Sequence, residues 1–471
     1  KRLTRESGYL LSINILTDLA EEKMLIFLLS QLTNTDAAFE EPLRRIRFSL
    51  LTHYANRAPA SDNLIKLASA VAIQAFHTQH VIALSKEERI QHQSVSFSEE
   101  VADLRDAERP GRDLEWCIAI TGMYEALAGS KNEEWLMSLD QKNFSPLFAT
   151  MIRKALKEPA EERKIRNEIP ELQPITDPTS TEVRAQYEEH SYPRWFYLAP
   201  ARQTSYRDFL SAQFPHTQFD QKLLEPVSVL AAGCGTGQEA AMIARNRLIN
   251  EVVGLDLSKS SLAYAERMRE QLKLDNVRFI QGDILDSYRL GHQFQIIEST
   301  GVLHHMHEPE LGWQALLNCL NPAGLMKVGL YSERASSDIN AARQWIHENG
   351  YDSKSETIRA VREKILKFDK SHPLYSLRHS EDFYSISACR DLIFHVHEQC
   401  YTPEQLREML IRLRLEFIGF ELSEIQTKQK YLKMYPHDLA MTDLTNWEEF
   451  DRQFPATFSG MLVFWCRKLP D

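Results

Sequence analysis

The stretch Ala231-Ala232-Gly233-Cys234-Gly235-Thr236-Gly237-Gln238-Glu239 decides the fold of this chain. It directly follows an apolar run, VSVLAA, and opens an amphipathic helix, which predicts a strand-to-helix loop. Its glycines let the backbone turn tightly and approach a ligand without a clash from Cβ. A dinucleotide-binding loop has the spacing G-x-G-x-x-G, which requires a third glycine at position 238. That position is Gln238 and the third glycine is Gly237, so the spacing argues against a dinucleotide.

Short apolar runs alternate with amphipathic helices on the carboxyl side of this loop. The runs EVVGLDLS, VRFIQGDI, FQIIESTG and GLMKVGLYS follow in turn, which is typical of a parallel sheet with crossover helices. A helical insertion is predicted over residues 333–414. Two further strand-like runs, at 415–422 and 458–467, then close the chain. The prediction is an α/β, doubly wound sheet whose last two strands come from residues 415–467.

Two aspartates come at the ends of successive predicted strands. Asp256 ends the second strand and Asp283 ends the third. Ligands bind at the carboxyl ends of the strands in an open sheet of this kind. Each aspartate taken singly is also a common helix-capping or turn residue. The glycine loop, Asp256 and Asp283 follow three successive predicted strands in this order, and together they favour a ligand site.

The amino-terminal part of the chain has a different pattern. Residues 1–155 show helical periodicity and almost no strand pattern, for example at Leu43, Ile46, Leu50 and Leu51. No clean repeat of 33 to 45 residues is visible. Residues 156–200 are charged and then proline-rich, which predicts a linker and cap before the sheet domain at 201–471.

Composition limits the classes of function. The chain has 471 residues, of which 43% are hydrophobic and 26% are charged, and this is ordinary for a globular protein. The net charge of −11 argues against a nucleic-acid partner. No apolar run is long enough to cross a membrane. The six cysteines are scattered without a CxxC pair, which favours a reducing, cytoplasmic location.

The glycine loop resembles the first motif of class I methyltransferases that use S-adenosylmethionine (SAM). The segment Ser299–Met306 resembles the "LHH" motif that follows the fourth strand in many of these enzymes. Residues 184–195 and 383–398 resemble bacterial proteins that couple tetratricopeptide-type helical repeats to a class I methyltransferase domain. The resemblance implies a Rossmann-like fold, SAM as the cofactor and a methyl acceptor as the partner.

The resemblance also implies a set of cofactor-binding residues. In class I enzymes an acidic residue often stands two positions before the first glycine, but this chain has Ala231 there. Another residue is therefore expected to hold the ammonium of the cofactor. An aromatic and basic segment, Arg184–Trp195, is expected to cap the pocket or to pack the joint between domains. The expected cofactor-binding residues are Gly233, Gly235, Gly237, Asp256, Asp283, Ile284, Thr300, Tyr187 and Arg194.

His304 and His305 are the candidate catalytic residues. An imidazole can act as a general base near neutral pH, or one of the two can merely shape the floor of the pocket. The histidines at 304, 305 and 307 cluster in sequence, as do those at 395 and 397. Neighbouring positions on a helix do not face each other, so no metal site is predicted.

The predicted function is methyl transfer from SAM to a nucleophilic acceptor. A protein side chain is favoured because a helical domain of about 150 residues resembles a docking surface. The alternatives are a small-metabolite methyltransferase and an interaction protein that binds SAM without turnover. The sequence leaves the acceptor atom and the oligomeric state open.

Overall fold

The computed structural model describes residues 10–95, 111–199, 202–422, 424–458 and 460–469. The chain divides into two compact units. Lys1–Glu161 and Ala341–Phe394 make up the first, which we call the helical unit. Glu162–Asn340 and His395–Asp471 make up the second, which we call the sheet unit.

The sheet unit contains a seven-stranded sheet with the order β3-β2-β1-β4-β5-β7-β6. Strands β1 to β5 pair in parallel, and β7 lies antiparallel between β5 and β6. This arrangement confirms the predicted doubly wound sheet, including its last two strands. The strands are β1 (Val227–Ala232), β2 (Ile249–Asp256), β3 (Val277–Gln281), β4 (Phe294–Thr300), β5 (Leu320–Tyr331), β6 (Leu415–Phe420) and β7 (Met461–Lys468).

Both faces of the sheet are buried. Along β1, Leu230 and Ala232 belong to one apolar cluster, and Val229 and Ala231 belong to the other. Successive strand residues point to opposite faces, so a strand covered on both sides becomes a continuous apolar run. The strand order reverses between β1 and β4, and such a switch point opens a crevice at the carboxyl ends of the strands.

Helices cover both faces of the sheet, and local capping sets several of their starts. The side chain of Asp177 accepts a hydrogen bond from Ser180 N, and proline follows it in the first turn. Thr402 and Gln405 form a reciprocal capping box. The α-helices are Pro178–Glu189, Tyr206–Gln213, Gln238–Asn246, Lys259–Leu272, Pro309–Asn318, Pro403–Arg412, Ile425–Met434 and Leu444–Gln453, and the 3₁₀ segments are Gln221–Leu224, Ile284–Leu290 and Leu303–His305.

The helical unit confirms the helical character predicted for the amino-terminal part. Leu43, Ile46, Leu50 and Leu51, whose spacing predicted a helix, are all buried. Residues 1–9 and 96–110 of the predicted region lie outside the described residues. Its helical segments are Ile13–Glu21, Lys23–Gln31, Ala37–Ala55, Asp62–His77, Lys86–Ser94, Arg112–Tyr124, Glu133–Ser138, Gln141–Asn143, Pro146–Ile152, Arg153–Lys157, Ser355–Leu366, Pro373–His379, Glu381–Tyr384 and Ile386–Phe394. Two further helices, Glu158–Ile165 and Ser337–Glu348, contain residues of both units.

The predicted insertion 333–414 is divided between the two units. Its central part, 341–394, packs in the helical unit rather than with the sheet. The buried guanidinium of Arg362 donates to both carboxylate oxygens of Glu40, with Nη1 3.1 Å from Oε2. Arg359 donates to the carbonyl of His80 at 2.7 Å. Removing one partner of a buried ion pair costs about 3–5 kcal/mol, so these contacts fix the insertion to the amino-terminal helices.

In the part of the chain that the structure describes, no helix has the length and apolar character needed to cross a membrane.

Candidate functional site

The glycine loop joins β1 to the helix Gln238–Asn246. Gly233 has φ +73°, and a Cβ built there would lie 2.4 Å from the side chain of Val302. Only glycine therefore lets the loop lie against the segment that follows β4. Gly235 has φ +52°, and a Cβ there would lie 3.1 Å from the carbonyl oxygen of Tyr192. The loop is thus packed between residue 302 and residue 192.

Asp256 ties the end of β2 to this loop. Its Oδ2 accepts from Gly235 N at 2.8 Å, and its Oδ1 accepts from Ser258 N at 2.9 Å. A carboxylate oxygen has two lone pairs, so each oxygen can accept one more donor. Burial raises the pKa of Asp256 to about 6, against the effect of the two N–H donors. The structure therefore brings this predicted residue to the glycine loop and gives it a turn-forming role as well.

Asp283 and Ile284 lie at the end of β3. Asp283 is buried, and its Oδ1 accepts from Leu285 N at 3.0 Å, which caps the 3₁₀ segment Ile284–Leu290. Burial raises the pKa of Asp283, and a hydrogen bond from Ser180 opposes this. The side chain of Ile284 is buried in the core beside the sheet. Ser180 belongs to the segment predicted as a linker, which thus lies over the end of β3.

The segment Tyr192–Trp195 packs on the glycine loop. The hydroxyl of Thr236 donates to the carbonyl of Pro193, and the indole Nε1 of Trp195 donates to the carbonyl of Thr236 at 3.0 Å. The guanidinium of Arg194 lies 3.3 Å from Glu162 and 4.5 Å from the ring centre of Tyr264. Arg194 therefore contacts a neighbouring helix and a carboxylate, and its contact with the cofactor stays a prediction.

A charged cluster lies behind the loop. Ala231 pairs in register with Glu298 on β4, and Glu298 pairs with Lys327 on β5. Lys327 Nζ lies 3.0 Å from Glu239 Oε1 and 3.3 Å from Glu298 Oε2. Burial raises the pKa of Glu239 to about 7, although Lys327 opposes this. Position 231 is an alanine and not an acidic residue, but carboxylates of other residues lie beside it.

Thr300 connects this cluster to the end of β4. Its hydroxyl lies 3.5 Å from Glu239 Oε1, where it is placed to donate. The side chain of Glu239 is 29% exposed, so the carboxylate is not sealed in the core. Glu239 stands in the first turn of the helix after the glycine loop. It is a candidate binding residue that the sequence analysis missed, because an acidic residue in a first helical turn is common.

His304 and His305 follow β4 in a single 3₁₀ turn. Both are buried, and their ring centres lie 4.2 Å apart. The ring of His304 also lies 4.1 Å from that of Tyr331, at the end of β5. The ring of His305 stacks on His395 at 3.8 Å with an angle of 19°. The His395 Nε2 lies 3.3 Å from the hydroxyl of Tyr187, so Tyr187 belongs to this histidine cluster.

Backbone contacts fasten residues 397–399 to the histidine turn. His305 Nδ1 lies 2.9 Å from the carbonyl of His397, and Gln399 N donates to the carbonyl of His304 at 2.9 Å. These two contacts hold Glu398 between them. One ligand atom from each of His304, His305 and Glu398 lies within 4.8 Å of the others. Sequence reasoning missed Glu398 and His395 because 90 or more residues separate them from the turn.

The comparisons with known proteins concern mainly this region. Residues 225–377 match a family model described as a methyltransferase domain. This part of the chain is therefore similar to a methyltransferase domain. A trans-aconitate 2-methyltransferase of Deinococcus radiodurans is 32% identical over 128 residues, which are 27% of this chain and 44% of that protein. An uncharacterised protein of Synechococcus sp. is 29% identical over 201 residues, which are 41% of this chain and 48% of that protein.

The chain thus spans about half the length of the curated relatives that it matches. Among solved structures, PKMT2 from Rickettsia typhi in complex with AdoHcy overlaps with 58% of this chain and 55% of its own. Its TM-score is 0.43 and its sequence identity is 17%.

The residues of the methyltransferase domain fit SAM as the cofactor. The three glycines of the loop have positive φ and no Cβ, so the backbone of the loop can approach a ligand closely. The carboxylate of Asp256 retains acceptor capacity for two hydroxyl groups. Acidic side chains lie behind the loop at Glu239 and Glu298, where a cationic group would find opposite charge.

Proposed function

We propose that this protein transfers a methyl group from SAM to a nucleophilic acceptor. The observation that carries the proposal is the bond from Gly235 N to Asp256 Oδ2, 2.8 Å long, within a domain that matches the methyltransferase family. SAM supplies an electrophilic methyl group on a sulfonium. The protein then has to bind the cofactor, orient the acceptor and exclude water.

On the cofactor side, we assign three contacts to residues of the chain. Asp256 accepts the ribose hydroxyls, and the backbone near Asp283 and Ile284 holds the adenine. Glu239 provides the negative charge for the ammonium, because its carboxylate is partly exposed and lies at the hydroxyl of Thr300. The three carboxylates of Glu239, Glu298 and Glu421 outnumber the single ammonium of Lys327, which supports this assignment.

On the acceptor side, we assign His305 as the residue that contacts the nucleophilic atom of the acceptor and can take its proton. A carbonyl oxygen can only accept, so the 2.9 Å contact with His397 requires that His305 Nδ1 carry the hydrogen. Its Nε2 then carries the lone pair, which can take a proton or bind a cation. Stacking on His395 fixes the plane of this ring. His304, which is fully buried against Tyr331, shapes the floor beside it.

A protein side chain is the acceptor that we propose first, on the ground of the helical unit, whose size resembles a docking surface. Its relation to tetratricopeptide-type repeats stays a prediction. A small metabolite is the second candidate, favoured by the match to the Deinococcus protein named for its action on trans-aconitate. The buried position of His304 and His305 also favours a slender acceptor.

Formation of S-adenosylhomocysteine is the test of this function. The full chain is incubated with SAM and with two fractions of a cell extract, one macromolecular and one of small molecules. Turnover with the first fraction supports a protein acceptor, and turnover with the second supports a metabolite. His305→Gln should lower kcat by about 10²–10⁴-fold, as expected for loss of a positioned proton acceptor, while the Kd for SAM changes less than about twofold.

The non-catalytic alternative makes a different prediction. If the protein binds SAM tightly but forms no S-adenosylhomocysteine with either fraction, the domain acts as a ligand-binding module. If it does not bind SAM, the assignment of the glycine loop fails.

A further inference from the structure

The histidine cluster has a composition that a proton acceptor alone does not need. Three potential ligand atoms, from His304, His305 and Glu398, converge within 4.8 Å of one another. Both histidines are buried and Glu398 is half-buried. Two imidazole nitrogens and one carboxylate oxygen form the donor set of several catalytic metal sites, which keep further positions open for water or substrate.

We propose that His304, His305 and Glu398 bind one divalent transition-metal ion. A bound ion has ligand distances of about 2.0–2.2 Å, so two of its ligands lie at most about 4.4 Å apart. The three atoms lie within 4.8 Å before any ion is bound. The separations of the three atoms are therefore close to those that a single ion requires.

The surroundings of His305 resemble those of a metal ligand. A ligating histidine usually donates its other ring N–H to a carbonyl or carboxylate, which fixes its tautomer and its orientation. His305 Nδ1 makes this contact with the carbonyl of His397 at 2.9 Å. The stacked ring of His395 holds the imidazole from one face. Because His395 Nδ1 accepts from His397 N at 3.1 Å, its Nε2 carries the hydrogen and faces Tyr187.

The position of Glu398 is also set by the backbone. Its two neighbours in sequence are the residues that contact the histidine turn, through His397 O and Gln399 N. The side chain amide of Gln399 lies 3.2 Å from the carbonyl of Met306 and adds a third link. The backbone on both sides of Glu398 is therefore held at the histidine turn, and a carboxylate oxygen of Glu398 lies within 4.8 Å of a ring nitrogen of each histidine.

With an ion bound, the lone pair of His305 Nε2 is used for ligation, and the ion would replace the imidazole as the group that activates the acceptor. Such an ion would define the class of acceptor, a consequence that rests on the proposed function. A divalent ion with one carboxylate ligand keeps one positive charge, which favours an anionic oxygen at its open position. The two histidines follow β4. Val302, which precedes His304 by two residues, lies against Gly233 of the glycine loop. The acceptor would therefore be a hydroxyl or carboxylate oxygen, on a protein side chain or on a metabolite.

Metal content of the full chain tests the proposal. The protein is stripped with a chelator, dialysed against Zn²⁺, Mn²⁺ or Fe²⁺, and analysed by elemental mass spectrometry. The wild type should retain about one ion per chain. Glu398→Gln and His305→Gln should each weaken metal binding more than about tenfold, because even the loss of a residue that only hydrogen-bonds to a metal ligand lowers metal affinity by about that factor. His437→Ala, at an exposed histidine far along the chain, should retain the ion and controls for adventitious binding.

Binding of SAM to each variant, with its melting temperature, shows that the fold is retained. If Glu398→Gln does not fold, His305→Gln decides the result. A wild type that retains no ion overturns the metal site, as does equal retention by Glu398→Gln. Full turnover by stripped, metal-free protein overturns the role of the ion at the acceptor and leaves methyl transfer standing. Stoichiometric metal in a protein that never forms S-adenosylhomocysteine supports the site and refutes the proposed function.

Discussion

The two sides of the candidate site are built in different ways. The cofactor side is compact in sequence, since the glycine loop and Asp256 lie on adjacent strands and bond directly. The histidine side joins a turn at 303–305 to residues 395–399 and to Tyr187. The first depends on backbone geometry, and the second depends on side chains brought together from distant segments.

This difference has a consequence for mutation. A change on the cofactor side should alter the affinity for SAM, because we assign the contacts there to the backbone of the glycine loop and to the carboxylates of Asp256 and Glu239. A change on the histidine side should alter turnover or metal content and leave the affinity for SAM in place.

Gly235→Val should weaken SAM binding by more than about a hundredfold, which is equivalent to roughly 3 kcal/mol. A β-branched residue is strained at φ +52°, and its Cβ would press on the carbonyl of Tyr192. Calorimetry on the folded variant measures the loss. Gly291→Val is the matched control, because Gly291 has φ +77° but open space around a Cβ. Equal losses in both variants would mean that strain, and not the loop, controls binding.

Asp256→Asn should weaken SAM binding at pH 7.5 by about ten- to a hundredfold, because hydrogen bonds to a charged acceptor contribute a free energy of this size. The pKa of Asp256 is about 6, so the wild-type carboxyl is charged above this pH and protonated below it. The affinity of the wild type should therefore fall about tenfold between pH 7.5 and pH 5. The asparagine variant should lack this part of the pH dependence. Parallel pH curves for the two proteins would contradict the assignment.

The sequence predicted the sheet, and the structure brings the glycine loop and Asp256 together, for a physical reason. A strand buried on both faces is a continuous apolar run, and the glycine loop and Asp256 mark the ends of two such strands. The packing of 341–394 was not predictable, because contacts such as that between Glu40 and Arg362 join residues 322 positions apart. Hydrophobic periodicity and short motifs do not indicate a contact between residues so far apart in sequence.

The histidine side was predicted only in part. His304 and His305 follow β4 in sequence, so they were found. Neighbouring positions on one helix do not face each other, but His304 and His305 lie in a single 3₁₀ turn, and the third group, Glu398, comes from a separate segment. Backbone hydrogen bonds of His397 and Gln399 hold Glu398 there. Such bonds do not depend on residue type, so the amino-acid sequence does not reveal them.

Glu239→Gln should weaken SAM binding about tenfold if its carboxylate faces the ammonium of the cofactor. Glu421→Gln is the matched control, because Glu421 also lies near Lys327, at 3.8 Å, but accepts from the indole of Trp465. The control should change the affinity less than about twofold. Titration calorimetry at one pH and ionic strength compares the two. Equal losses would show that the net charge of the cluster matters and that Glu239 makes no direct contact.

Arg194→Ala should have the smallest effect on SAM binding, less than about twofold, although the sequence suggested a contact with the cofactor. The guanidinium lies at Glu162 and over Tyr264, so its loss should destabilise the sheet unit by about 1–2 kcal/mol. Glu162 keeps a second partner, because Arg267 Nε lies 2.9 Å from it, and this limits the cost. The melting temperature should fall by about 3–6 °C.

Arg194→Lys sharpens the test, because lysine can restore the charge at Glu162 but lacks the planar fork that binds a carboxylate at two points. Recovery of the melting temperature with unchanged affinity for SAM means that Arg194 positions Tyr192–Trp195 against the loop. A tenfold weaker affinity in both variants, with no loss of melting temperature, means instead that the side chain turns to the methionine carboxylate when the cofactor is present. In that case the cofactor side would resemble the histidine side, since it too would be completed by a side chain from a separate segment.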